Sequence, residues 1–174
     1  GTGLYNNGIL LLNSGGVLAS SGGSIALNGT AGGGSNASGI VMQSAASITT
    51  TGGGNVSLDG SASTNLALVG NAANSISSSG TTTLTSNNGI AFGTVDITSA
   101  GALTATSTFA NIDLGSAANA ISGNITITAS GGGDASIANS GAIMLAAINT
   151  SGDFTAMSGG SIGQTGAGFV VGGN

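Results

Sequence analysis

Short runs of β-forming residues alternate with turns of Gly, Asn and Ser along the whole of this 174-residue chain. Many runs alternate strictly between apolar and polar residues, as in Val56-Ser57-Leu58 and Ile125-Thr126-Ile127. That period of two is typical of a strand with one buried face. No window shows a helical period, and the 35 glycines would make a long helix costly. The pattern therefore predicts an all-β chain of many short strands.

The predicted strands follow one another at intervals of mostly about six to ten residues. Their centres are Ile9, Val17, Ile25, Ile40, Ile48, Val56, Leu66, Ile76, Leu84, Ile90, Ile97, Leu103, Ile112, Ile121, Ile125, Ile137, Ile143, Ile148, Phe154, Ile162 and Phe169.

A longer period of about 48 residues overlies the strand pattern. Gly39, Gly89 and Gly141 each precede a short apolar run, and successive members are about 50 residues apart. The stretches 65–77 and 111–122 are also similar, with a step of about 45 residues. Each period holds about six strands, which fits one six-sided coil or two three-sided coils. The strand lengths favour two coils.

We therefore predict a single-stranded parallel β-helix, or β-solenoid, with three sides and about seven coils of about 24 residues, about 34 Å long. Gly and Asn accept the positive φ angles that its sharp turns require, and stacked Asn side chains can hydrogen-bond from coil to coil. Ile, Val, Leu and Ala are expected to fill the narrow interior. The phenylalanines are expected to fill the core or its corners; they are Phe92, Phe109, Phe154 and Phe169.

The side chains present exclude most catalytic chemistry. The chain has no Lys, Arg, His or Cys, and its titratable side chains are five aspartates and one tyrosine. Catalysis at neutral pH usually needs a His, a tuned Glu or Lys, or a thiolate. Binding to nucleic acid needs cations to displace the condensed counterions. We predict that the chain is not an enzyme, has no catalytic, cofactor-binding or metal site, and does not bind nucleic acid.

The aspartates are candidates for catalytic pairs, because some parallel β-helices that cleave polysaccharides use clustered aspartates. Asp96 and Asp113 are the closest pair in sequence, separated by less than one predicted coil, and Asp134 and Asp153 are the next closest. No cation or His accompanies them, so we interpret them as solvated turn residues, as we do Asp59. The sequence Gly131-Gly132-Gly133-Asp134 is faintly similar to the nonapeptide of calcium β-rolls, but it lacks the later Asp and the tandem repetition.

Threonine-rich strands are a candidate binding face. They are expected to form an outward array on one flat side, which resembles the arrays of ice-binding β-solenoids. Thr is also simply a good β-former with a polar outer face. Two regular ranks on one side would favour ice binding, and scatter over all sides would oppose it. The residues concerned are Thr49–Thr51, Thr81–Thr83, Thr104, Thr106, Thr126 and Thr128.

Three stretches carry a family resemblance: GNITITASGGGDASI (123–137), SGAIMLAAINTSGDFTAMSGG (140–160) and SGGSIGQTGAG (158–168). They resemble the repeats of filamentous-haemagglutinin-like proteins, the two-partner-secretion and giant-adhesin exoproteins of Gram-negative bacteria. The resemblance covers essentially the whole chain through loose compositional motifs. It implies a right-handed parallel β-helix, export to the cell surface, and a role in adhesion, aggregation or biofilm. Typical members carry some Lys and Arg, and this chain has none.

The expected function is that of a secreted, cell-surface structural and adhesive rod, a stalk or fibre segment. Residues 1–174 are expected to form one continuous solenoid segment of a longer repeat protein, which continues past both ends or stacks end to end. Its expected partners are neighbouring repeats or further copies, a host or neighbouring cell surface, or carbohydrate. The alternative is an ice-binding or carbohydrate-binding solenoid that uses a flat Thr/Ser/Asn-rich face. No transmembrane segment is expected, because the longest apolar run, Ala142–Ile148, is far below roughly 18 residues.

Overall fold

The computed structural model describes residues 5–12 and 16–173, and every regular element in that part is a β-strand. The strands are β1 (Ile9–Leu12), β2 (Val17–Ser21), β3 (Ile25–Thr30), β4 (Ile40–Gln43), β5 (Ser47–Thr51), β6 (Val56–Ser61), β7 (Leu68–Gly70), β8 (Ser75–Ser78), β9 (Thr82–Ser86), β10 (Ile90–Ala91), β11 (Asp96–Ser99), β12 (Leu103–Ser107), β13 (Ile112–Leu114), β14 (Ala120–Ile121), β15 (Ile125–Ala129), β16 (Ala135–Asn139), β17 (Ile143–Thr150), β18 (Phe154–Ser158) and β19 (Ile162–Val171).

The strands form three parallel sheets. Sheet A has the order β1-β4-β7-β10-β13-β16-β18, sheet B the order β14-β11-β8-β5-β2, and sheet C the order β19-β17-β15-β12-β9-β6-β3. Each of the first five coils passes through sheets A, B and C in turn, and each strand pairs with the equivalent strand of the next coil. The predicted three-sided parallel β-solenoid is therefore confirmed.

Coil length falls along the chain. The number of residues between equivalent positions in sheet A measures the length of each coil. The first two of these intervals are the longest and the last is the shortest. The equivalent residues, one for each of the seven coils, are Ile9, Ile40, Leu68, Ile90, Ile112, Ala135 and Phe154. The extra residues of the first two coils lie mainly between sheets C and A, in the segments 31–39 and 62–67. We call this edge of the solenoid the C–A corner. The predicted coil length of about 24 residues is thus an average over coils of different lengths.

The last two coils have two strands each, so the expectation of three strands per coil is wrong there. The chain turns from β16 towards sheet C after Asn139, without forming a strand in sheet B. Polar groups at this turn hydrogen-bond to backbone groups of β14 and of the residue before it, which have no neighbouring strand on this side. Asn139 Oδ1 accepts the N–H of Ile121 at 2.8 Å, and the Ser140 N–H donates to the carbonyl of Asn119 at 2.8 Å.

The structure also corrects part of the long period. Gly39 and Gly89 each precede a sheet A strand, two coils apart, whereas Gly141 lies just before β17 of sheet C. The resemblance of Gly141 to the other two is therefore not a coil equivalence. The predicted strand centred on Leu66 is also wrong, because β7 begins at Leu68. The shared sequence after residues 65 and 111 does fall in coils three and five, but the match is out of register, because Leu68 and Ile112 both pair with Ile90.

Inward-facing Ile, Leu, Val and Ala side chains form one continuous core along the axis. Phe92 is fully buried in it as predicted, and it fits because Gly70 on the neighbouring coil has no side chain. A Cβ at Gly70 would lie 3.2 Å from Phe92 Cδ1 and closer still to Val95 Cγ2. Phe154 packs partly against the core. The expectation that Phe109 fills the core or a corner is wrong, because 67% of its surface is exposed. Phe169 occupies an inward position of the last coil, in register with the buried Ile148, and is 40% exposed there.

The corner between sheets A and B is closed by buried asparagines, a role for Asn that the sequence partly anticipated. Asn74, Asn119 and Asn139 join adjacent coils, although they bond to backbone groups and do not form a ladder with one another. At the next corner, between sheets B and C, Ser78 and Ser99 donate their hydroxyls to turn carbonyls. In the described residues no buried side-chain nitrogen or oxygen lacks a hydrogen-bond partner. The buried polar side chains at these corners are therefore all hydrogen-bonded.

Candidate functional site

The aspartates all lie at the surface, and the fold brings only some of them together. Asp96 is on sheet B and Asp113 is on sheet A, so the pair closest in sequence is separated. Asp134 and Asp153 lie at equivalent places on successive coils, and Asp134 Oδ1 accepts the Asp153 N–H at 2.8 Å. Asp59 lies on the outer face of sheet C, between Asn28 and Thr85 of the adjacent strands.

Asp113 lies beside the stacked pair on the outer face of sheet A. Its Oδ1 accepts the Ser136 hydroxyl at 2.8 Å and the Gly115 N–H at 3.0 Å. Asp134 in turn donates its N–H to Asn111 Oδ1 at 2.9 Å. These bonds of the Asp113 and Asp134 carboxylates go through Oδ1, to a hydroxyl and backbone N–H groups of neighbouring residues. In the described part of the chain, no three carboxylate, imidazole or thiol side chains are grouped so that they could hold a metal ion.

Six threonines form two ranks on the outer face of sheet C. The first rank is Thr83, Thr104 and Thr126, and the second is Thr85, Thr106 and Thr128. The three strands are adjacent and in register, so neighbours in one rank are about 4.8 Å apart and the ranks about 7 Å apart. The array ends at Ser57 and Asp59 on one side and at Ala147 and Asn149 on the other. We call these six residues the threonine array.

The other threonines considered in the sequence lie elsewhere. Thr49 is on the outer face of sheet B and Thr51 is exposed at the end of the same strand. Thr50 and Thr82 point inward and are buried, since they are only 2% and 0% exposed. Thr81 is exposed in the turn before β9. The expectation of one flat face for all of these threonines is therefore only partly met.

A second surface was not anticipated from the sequence: a furrow along the C–A corner. Three adjoining hollows form it, with volumes of about 370, 300 and 410 Å³. Leu66 is shared by the first and second hollows, and Asn111 by the second and third. We call this surface the corner furrow. Its lining is Tyr5, Asn7, Asn36, Ser38, Val41, Gln43, Asn65, Leu66, Val69, Phe109–Asp113, Gly131–Ser136, Asp153 and Thr155.

Alternation alone could not have located Phe109 in this furrow. Leu103, Ala105 and Ser107 occupy the inward positions of β12, and the same alternation would place Phe109 inward. The strand instead ends at Ser107, and Phe109 falls in the turn beyond it. The exposure of the ring therefore depends on where the strand ends, which the alternation does not mark.

No protein-family model, curated protein or solved structure matches this chain. Within residues 5–12 and 16–173 there is no helix of the length and apolar character needed to cross a membrane.

Proposed function

We propose that this chain is part of a secreted, structural and adhesive rod, a stalk or fibre segment that acts at the cell surface in adhesion, aggregation or biofilm formation. The observation that carries the proposal is the unbroken stacking of sheets A and C through all seven coils around one core. In such a solenoid the number of coils sets the length of the rod, and the outer faces of the sheets remain available for contacts. The resemblance to filamentous-haemagglutinin-like repeats supports the same assignment. So does the absence of His, Lys, Glu and Cys, the side chains that most enzymes use.

Display on a non-adherent bacterial cell tests the adhesive role. The expected result is faster settling of the cells and more surface attachment than for cells without the chain. The control is Leu84→Asp, which places a charge at a fully buried core position and should prevent stacking of the coils. Cells that display the folded chain at matched levels, yet settle and attach like bare cells, would contradict the proposal.

Self-association through the solenoid ends is the second part of the proposal. Inward-facing residues of the first coil, such as Leu11 and Leu27, are only partly buried, whereas Leu58 and Leu84 above Leu27 are fully buried. Stacking of another coil on this end would remove that apolar surface from water, at roughly 25 cal/mol per Å². It would also pair the open edges of β1, β2 and β3.

Sedimentation velocity at rising protein concentration tests this association. The chain should form larger species as its concentration rises, and Leu27→Glu should suppress them. Asn28→Glu is the matched control, because Asn28 is the next residue but points outward. Equal suppression by both variants, or a monomer at every concentration, would contradict end-to-end stacking.

The threonine array favours a second candidate function, the ordering of water at an ice surface. A rigid sheet holds its six hydroxyls in a regular two-dimensional pattern, with methyl groups at the same spacing. Thermal hysteresis of a freezing solution tests it. Activity should be lost in Thr104→Glu, near the centre of the array, and kept in Thr49→Glu on sheet B. Absence of hysteresis in the unmodified chain would exclude this function.

A further inference from the structure

The corner furrow is a row of three hollows in which each hollow shares a lining residue with the next. It runs from Tyr5 and Asn36 near the first coils to Asp153 and Thr155 in the last. Six coil spacings of about 4.8 Å make its length about 29 Å. The Leu66 side chain lies across Gly89, where a Cβ would be 2.6 Å from Leu66 Cδ2. This places an apolar floor between the first and second hollows.

Two exposed aromatic side chains line this furrow. Phe109 is 67% exposed and Tyr5 is 75% exposed, although aromatic residues make up only 3% of the chain. Next to Phe109 lies the turn Gly131–Gly133, in which Gly131 and Gly132 have φ angles of 66° and 86°. A Cβ at Gly131 would lie 2.9 Å from the Phe109 Cα, so this glycine lets the turn pack closely against the Phe109 backbone. The ring itself stays 67% exposed and is accessible to a ligand from solvent.

Amide groups beside the rings have hydrogen-bonding capacity left over. Asn111 uses Oδ1 to accept the N–H of Asp134, while its Nδ2 has no partner among the described residues. Asn36 and Gln43, which line the first hollow, make no side-chain hydrogen bond within the described part of the chain. Each amide can both donate and accept, which suits hydroxyl groups that do the same.

The negative charge of the furrow restricts the class of ligand that it can bind. Three of the five aspartates line its third hollow, and the sequence contains no Lys or Arg to oppose them. A polyanion such as a nucleic acid or an acidic glycan would be repelled. A peptide bound as an added strand would need an open sheet edge, whereas the furrow runs along the C–A corner, from coil to coil. The lining instead combines apolar rings with a few convergent polar groups, as ligand sites do.

We propose that the corner furrow binds a linear neutral glycan that lies along the solenoid axis. A sugar ring stacks its C–H face on Phe109, whose ring face is electron-rich, and its hydroxyls bond to Asn111 and to the oxygens of Asp113 and Asp134. This site lies at the C–A corner and is separate from the threonine array on sheet C. The inference adds a ligand to the adhesive rod proposed above, and it rests on that proposal for its biological setting alone.

Affinity electrophoresis of the full chain tests the inference. Native gels contain one soluble neutral polysaccharide each, namely a β-glucan, a mannan, a galactomannan or a dextran, with alginate as the acidic comparison. At least one neutral gel should retard the chain, and alginate should not. Phe109→Ala should weaken the retarding affinity roughly tenfold, and Phe109→Tyr should restore most of it. Thr106→Val is the matched control on the other face and should bind like the unmodified chain. Added salt should change neutral glycan binding little.

Several outcomes would overturn the inference. They are no retardation in any neutral gel, equal retardation of Phe109→Ala and the unmodified chain, or loss of retardation in Thr106→Val, which would move the site to the threonine array. Circular dichroism of each variant separates loss of binding from loss of folding. If displayed cells aggregate while no neutral glycan retards the chain, this inference fails and the adhesive rod stands. If the chain binds a glycan while displayed cells do not attach or settle, the adhesive proposal fails and the site stands.

Discussion

Asn119 Oδ1 accepts the backbone N–H of Ile97, one coil away, at 2.8 Å. The Asn119 Nδ2 group also donates to the carbonyls of Leu114 and Ala138, at 2.8 and 3.1 Å. One fully buried side chain thus satisfies backbone groups of three successive coils at the corner between sheets A and B. Those groups have no access to water, so their pairing depends on this amide.

Replacement of Asn119 by Ala should lower the free energy of unfolding by about 2–4 kcal/mol, because it leaves three buried backbone groups unpaired. Urea denaturation followed by circular dichroism measures the change. Asn149→Ala is the control, since Asn149 is exposed on sheet C, and it should change stability by less than about 0.5 kcal/mol. Equal stability of the two variants would show that the corner bonds contribute little.

Replacement of Gly70 by Ala should destabilise the chain by about 1–3 kcal/mol, because the new methyl group would overlap Val95 and press on Phe92. The double variant Gly70→Ala/Val95→Ala should recover part of the loss, with a coupling energy of about 0.5–3 kcal/mol. Gly168→Ala is the matched control in another strand, where a Cβ would meet nothing within 4 Å. Additive effects of the Gly70 and Val95 substitutions in urea denaturation would contradict this packing relationship.

Most of the fold follows from the alternation of residues. Nearly every predicted strand centre lies in a strand, because inward Ile and Leu must stack on one another. Two predicted pairs, around Ile143 and Ile148 and around Ile162 and Phe169, are single longer strands. The alternation marks which residues face inward, but it does not mark where the chain bends. Bends depend on corner side chains such as Asn139, which acts through contacts with the preceding coil.

The surfaces were less predictable for a related reason. Which threonines share a face depends on register between coils, and the coils differ in length, as the long step from Ile9 to Ile40 and the short step from Ala135 to Phe154 show. Thr50 has the same neighbours in sequence as an outward Thr, yet it points inward because Ile48 fixes the pleat of β5. The corner furrow arises from turns that are far apart in sequence and are brought together only by stacking.

Removal of a buried side chain from the central coils should destabilise the solenoid more than removal of an exposed side chain from its outer surface. Leu84 is fully buried between Leu58 and Ala105 of the adjacent coils, so Leu84→Ala should lower the free energy of unfolding by about 2–5 kcal/mol. Leu12 is 44% exposed on β1, and Leu12→Ala should change it by less than about 0.5 kcal/mol. Urea denaturation compares the two. A similar loss for both would mean that the core is not continuous through the central coils.

The stacked carboxylates of Asp134 and Asp153 should make stability depend on salt. The bond between Asp134 Oδ1 and the Asp153 N–H holds the two acidic residues on adjacent coils, and the sequence offers no cation to offset them. Like charges on neighbouring strands are destabilising. Asp134→Asn retains the oxygen acceptor and removes one charge, so it should raise the free energy of unfolding by about 0.2–1 kcal/mol at about 0.01 M salt. The gain should disappear near 1 M salt, where the Debye length is about 3 Å.

Two controls separate charge from hydrogen bonding in this experiment. Asp134→Ala removes the acceptor as well as the charge, so it should be less stable than Asp134→Asn at every salt concentration. Asp59→Asn removes a charge whose strand neighbours are Asn28 and Thr85, so its effect at low salt should be smaller. The measurement is urea denaturation of all three variants across the salt series. If Asp134→Asn were no more stable than the unmodified chain at low salt, repulsion between stacked carboxylates would not be a force in this solenoid, and the Asp134–Asp153 contact would act only through its hydrogen bond.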